Sequence, residues 1–148
     1  MQHGSTTLVR VALAGLLALA LSACGGAGGG DPVDGLPGGG ATVTFETPDG
    51  GTYRVLLTDP ADIARVEAAL AGDGHAGIPN GRIVAGDGGV NIGHDWHVVE
   101  VEFADMAIEV CDGTVGYVDD LGYAGFVDQH GDRFCPWAAV VVAVDRAP

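Results

Sequence analysis

The chain has 148 residues, 20 acidic residues against six arginines and no lysine, and a formal net charge of −14. That sign argues against nucleic acid as a partner, since phosphate needs a basic surface. The missing lysine removes Schiff-base chemistry and the Walker-type phosphate lysine.

The chain begins like an export signal. Arg10 precedes an apolar run from Val11 to Leu21, and small residues follow. Such a segment suits the secretion machinery but is too short for a comfortable membrane span. Its end, Leu21-Ser22-Ala23-Cys24, resembles a lipobox, the recognition sequence of bacterial lipoproteins. The resemblance implies a signal peptide over 1–23, cleavage before Cys24, and a diacylglycerol with palmitate-like chains on the cysteine. An ordinary signal cut near Ala23, leaving a free thiol, is the alternative. The lipid reading makes the chain anchored rather than spanning. It places the mature protein on the outer face of the cell membrane, or in an outer membrane where there is one.

Residues 24–40 are mostly glycine and read as a flexible tether, leaving 41–148 as one globular domain. Beyond Cys24 stand all 20 acidic residues and five arginines, and 5 − 20 gives −15. Anionic lipid would repel such a domain, so the membrane contact is expected to run through the lipid on Cys24 alone. The only serines, Ser5 and Ser22, lie within the signal, so the mature chain has no serine nucleophile. Of three cysteines, Cys111 and Cys135 remain, and two cysteines in an exported domain are expected to pair. Closing that loop would stabilise the fold by about 3 kcal/mol on the chain-entropy account. With the pair closed, a cysteine nucleophile is not expected either.

Taken in order, Val43–Thr47 and Thr52–Leu57 flank the turn sequence Pro48-Asp49-Gly50-Gly51 and predict a hairpin. Asp59 as N-cap and Pro60 at the first helical position open a helix over about 60–71. Ile63, Val66 and Leu70 form its apolar stripe, and Gly72 and Gly74 end it. Arg82–Ala85 is expected as a short strand. Val99, Val101 and Phe103 share one parity and Met106, Ile108 and Val110 the other, so a bulge or turn is expected at Ala104-Asp105. Tyr117–Phe126 shows no decisive pattern. The unbroken run Ala138–Val144 reads as a central strand buried on both faces. The expected class is α+β, mostly antiparallel strands with one clear helix and one disulfide.

Four histidines follow the signal, and His94-Asp95-Trp96-His97 is their densest cluster. As a helical turn it could bring His94 and His97 to one metal, with Asp95 nearby. As a strand it would split them between two faces, with Asp95 and His97 on one and His94 and Trp96 on the other. The spacing matches no established zinc signature, and another ligand must come from elsewhere. Asp128-Gln129-His130-Gly131-Asp132 and Asp119-Asp120 lack the EF-hand's glycine position and its closing glutamate, and read as a solvated acidic loop. Gly86–Asn91 has the glycines of a phosphate loop without its lysine. Glu100, Glu102, Asp105 and Glu109 could supply an acid and a base for glycoside hydrolysis, but alternation explains Glu100 and Glu102 as the solvent face of a strand.

Three blocks together resemble a known family. They are Pro79–Val84 with Gly88–Asn91, then Trp96-His97 through Phe103-Ala104-Asp105-Met106-Ala107-Ile108-Glu109-Val110-Cys111-Asp112-Gly113, and finally Phe134-Cys135-Pro136-Trp137. The pattern is similar to the small domain named after the N-terminal part of a calmodulin-binding protein, which also occurs alone in exported bacterial proteins. The resemblance covers about residues 43–145. It implies a compact, disulfide-linked exported domain and no established activity. Two features depart from the family pattern: Ala138-Ala139-Val140 stands where a polar residue and an arginine usually follow Cys-Pro-Trp, and no proline lies near His97. Calmodulin binding does not carry over, since calmodulin's targets are basic amphipathic helices and this domain has none.

Three function classes follow. The first is a lipid-anchored, non-enzymatic binding domain that uses no cofactor and meets an envelope protein or a small cationic ligand. The second is a metal-binding protein or metal-dependent enzyme holding a divalent metal through His94, Asp95 and His97. The third is a purely structural envelope protein, which these residues do not separate from the first.

Overall fold

A computed structural model describes residues 39–105 and 113–147. The expected signal, Cys24, the tether up to residue 38, the Met106–Val110 strand, Glu109 and Cys111 lie outside the described residues. The architecture is α+β, with two helices and two antiparallel three-stranded sheets. Among the described residues no helix is long and apolar enough to cross a membrane.

The hairpin forms as its turn chemistry dictates. β1 (Ala41–Glu46) pairs with β2 (Thr52–Leu57) from Ala41 opposite Leu57 to Glu46 opposite Thr52. Alternation sends Val43, Phe45, Tyr53 and Val55 to the core, each at most 1 % exposed. Helix α1 (Pro60–Leu70) follows at once. The Asp59 carboxylate accepts from the Ala61 N–H at 2.7 Å and the Asp62 N–H at 3.3 Å, satisfying donors that the first turn leaves open. Gly72, at φ +86°, ends the helix in a Schellman arrangement. The Asp73 N–H donates to the Ala68 carbonyl and the Gly72 N–H to the Ala69 carbonyl. Ile63 and Val66 are buried as the stripe predicts, whereas Leu70 is exposed because it sits on the final turn.

The second sheet is built from β3 (Ile78–Ala85), β4 (Trp96–Ala104) and the two-residue β5 (Arg133–Phe134), in the order β4-β3-β5. β3 is longer than the expected Arg82–Ala85 and runs through Pro79-Asn80-Gly81. β4 also changes phase within its own length. Its register against β3 shifts between Asn80 and Arg82, and Glu100 takes φ +55°. This bulge puts Trp96 and Val98 on the same inward side as Val101 and Phe103, and leaves Val99 out of the core.

Two expectations are corrected. Tyr117–Phe126 lies in a second helix, α2 (Val115–His130). Its glycines and its kink at Gly122 (φ +67°) hide the helical period. The same helix takes in Asp128-Gln129-His130, so the acidic loop expected there is a last turn capped by Gly131. The second correction concerns β6 (Val140–Arg146), which is an edge strand and not a central one. The first sheet runs β2-β1-β6, and among the described residues β6 pairs only with β1. Val141 and Val144 pack on the core, while Val140 and Val142 are 55 % and 41 % exposed. The apolar run is continuous although half of it faces outward.

One core unites both sheets and both helices. Its centre is aromatic: Tyr53 stacks on Phe45 at 5.5 Å and meets Phe134 edge-on at 5.3 Å, and Trp96 lies 5.3 Å from Phe134. The Tyr53 hydroxyl is buried there without a hydrogen-bond partner among the described residues.

Candidate binding cleft

A cavity forms where α1 stops. Beyond the helix end, Gly74–Ile78 crosses towards β3, Asp105 follows the end of β4, and residues 137–141 lead into β6. These segments enclose about 380 Å³, at the small end of ligand pockets. The space exists because Ala69, Ala76 and Ala139 contribute only methyl groups to its wall, between the larger Ile78, Trp137 and Val141.

Each wall is fixed locally. The His75 Nδ1 accepts from the Gly77 N–H at 3.1 Å, which holds the loop turned and leaves Nε2 to carry the ring proton in the neutral form. The Ala139 N–H donates to the Pro136 carbonyl at 3.1 Å, a turn that sets Trp137 at its corner. Just before it, Cys135 is 1 % exposed, so the chain surfaces abruptly and Trp137 emerges 51 % exposed. Cys111, the partner expected for Cys135, lies outside the described residues. Across α1 and β6, the Arg146 guanidinium donates to both Glu67 oxygens, at 2.6 and 2.8 Å. These bonds hold the Glu67 carboxyl below its usual range and tie the helix to the strand.

The cleft's surface is about evenly divided between polar and apolar groups, with one acidic residue in its lining. Asp105 supplies a carboxylate, and no arginine lies in the lining. Arg82 and Arg146 are paired with Glu100 and Glu67, and Arg65 stands 5.7 Å over the Phe103 ring.

The histidine cluster lies elsewhere and is tied up by bonds. The His94 Nδ1 meets the Asp119 carboxylate at 3.0 Å and its Nε2 meets the Thr52 carbonyl at 3.1 Å. The same Asp119 oxygen accepts from the Trp96 indole at 2.8 Å. His97 turns to the Gly86 carbonyl, with Nδ1 at 2.6 Å. The strand reading therefore describes this segment from Trp96 onward, and His94 and His97 take separate partners. Asp95 does not join them: its backbone carbonyl accepts from the Gly86 N–H. Among the described residues no group of three or more His, Cys, Asp or Glu side chains is placed to hold a metal ion.

The other candidates also have structural work. Asn91 is 1 % exposed, donates to the Trp96 carbonyl at 3.0 Å and accepts from the Arg54 N–H at 2.9 Å. It pins the glycine-rich loop to β2. Glu100 stands on the surface in its ion pair with Arg82. In the sequence Asp105 stands out only for glycoside chemistry, and His75 is one of the four histidines after Cys24, with no motif around it. A tryptophan straight after Cys-Pro was the available signal for an exposed aromatic, since that dipeptide sets a turn.

A family model for the BP-74 N-terminal domain, the domain named after the N-terminal part of a calmodulin-binding protein, matches residues 40–148. No curated protein and no solved structure matches the chain.

Proposed function

The chain belongs to the BP-74 N-terminal domain family, and from that premise we propose that it is a binding domain tethered outside the cytoplasm by lipid on Cys24. Its binding surface is the cleft between the end of α1 and Trp137–Val141. The observation that carries this reading is the half-exposed Trp137 beside a preformed cavity. An exposed indole next to a concave apolar wall is characteristic of recognition surfaces. Anchoring is supported by the export signal and by Leu21-Ser22-Ala23-Cys24. The glycine-rich stretch after Cys24 lets the domain stand away from the bilayer.

Metabolic labelling with palmitate tests the anchor. The full chain is expected to take up label and sediment with membranes, and Cys24→Ser is expected to do neither. Label that survives the substitution would overturn the anchor. For the binding domain, turnover by the purified chain on a broad hydrolase panel would count against a non-enzymatic role.

A further inference from the structure

We infer that the cleft takes a small organic cation: an ammonium group on a compact apolar body, held between Trp137 and Asp105. The inference rests on the cleft being the binding site and adds the chemistry of its ligand.

Size comes first. About 380 Å³ holds a small molecule and is too little for a helix laid in a groove. Charge decides the sign. An anion would approach a chain of formal charge −14, and among the described residues no arginine lines the cleft to receive it. A neutral hydrocarbon would fill the alanine-lined floor but would leave the Asp105 carboxylate without a counter-charge. An ammonium solves both problems. Asp105 supplies the counter-charge, and the face of a tryptophan is the best aromatic partner for a cation. Ala76, Ile78 and Val141 are left for the apolar body.

The test compares three near-isosteric probes on the full chain: benzylammonium, benzyl alcohol and benzoate. The readout is tryptophan emission. Of the two tryptophans Trp96 is fully buried, so quenching by a small solute reports Trp137. Benzylammonium is expected to saturate and to bind about tenfold more tightly than benzyl alcohol, with benzoate weakest. The preference is expected to shrink in high salt and to fall to about twofold or less in Asp105→Asn. Asp105 is exposed at a strand end, so an unchanged far-UV circular dichroism spectrum should certify the fold of that variant. Equal binding of benzylammonium and benzyl alcohol would overturn the cation and leave the cleft standing. A preference that persists in Asp105→Asn would do the same. Failure of all three probes to reach Trp137 would overturn both the inference and the cleft beneath it.

Discussion

Replacing Asp49 by asparagine removes a charge that links the β1–β2 turn to the start of α2. Asp49 Oδ1 accepts from the Thr47 hydroxyl and from the Gly51 N–H at 3.3 Å, and Oδ2 accepts from the Gly116 N–H at 2.8 Å. Gly116 lies in the first turn of α2, where open N–H groups favour a negative charge. Burial raises the carboxyl's pKa, but bonds from Thr47, Thr114, Gly116 and Gly51 outweigh it and hold the value at about 2, against an ordinary 3.8. Because the folded value is depressed, the charge stabilises the fold above pH 3.8, and that contribution disappears as the pH falls through about 2. The gap sets a ceiling of roughly 2.4 kcal/mol, and solvent screening at this exposed turn lowers it to about 1 kcal/mol. Urea unfolding of both chains, followed by circular dichroism, reads the difference. Asp49→Asn should cost about 1 kcal/mol at pH 7 and almost nothing at pH 2. An equal loss at both pH values would assign the effect to packing and refute the charge argument.

Three further substitutions test the core and the edge, and a thiol titration tests the disulfide. Tyr53→Phe removes a buried hydroxyl with no partner among the described residues, and should raise stability by about 1 kcal/mol in the same assay. A loss of that size would reveal a bond to the hydroxyl. Phe134→Ala empties the centre of the aromatic cluster and should cost about 3–5 kcal/mol. Val142→Lys should cost under about 1 kcal/mol, since Val142 faces outward on an edge strand. A cost of several kcal/mol would restore the central strand. Ellman titration of the denatured, unreduced chain tests the proposed Cys111–Cys135 bond. No free thiol is expected in the lipidated protein, and two would refute the pairing.

Elements set by local chemistry were legible in the sequence. The Asp59-Pro60 start, the glycine stop and the Pro48–Gly51 turn each satisfy backbone groups within a few residues, so the chain announces them. Elements decided by distant packing were not. α2 owes its helix to contacts beneath Val115, Val118 and Phe126, while Gly116, Gly122 and Gly125 argue against a helix locally. β6 has the composition of a central strand, and only its place beside β1 makes it an edge. The bulge at Glu100 converts what looks like one alternating run into two. The cleft was the least visible feature of all. Its lining comes from four separate stretches of chain, and the residues that shape it are alanines, which carry no chemical signal.

The most direct test of the central claim is an amide-shift survey of the isotopically labelled full chain against a small fragment set with equal numbers of cations, neutral molecules and anions. The account predicts that fragments perturb Ala69, residues 75–78, Asp105 and residues 137–141, with cations the strongest group. Shifts gathered instead around His94 and Asp119, or a chain that no fragment perturbs, would contradict it.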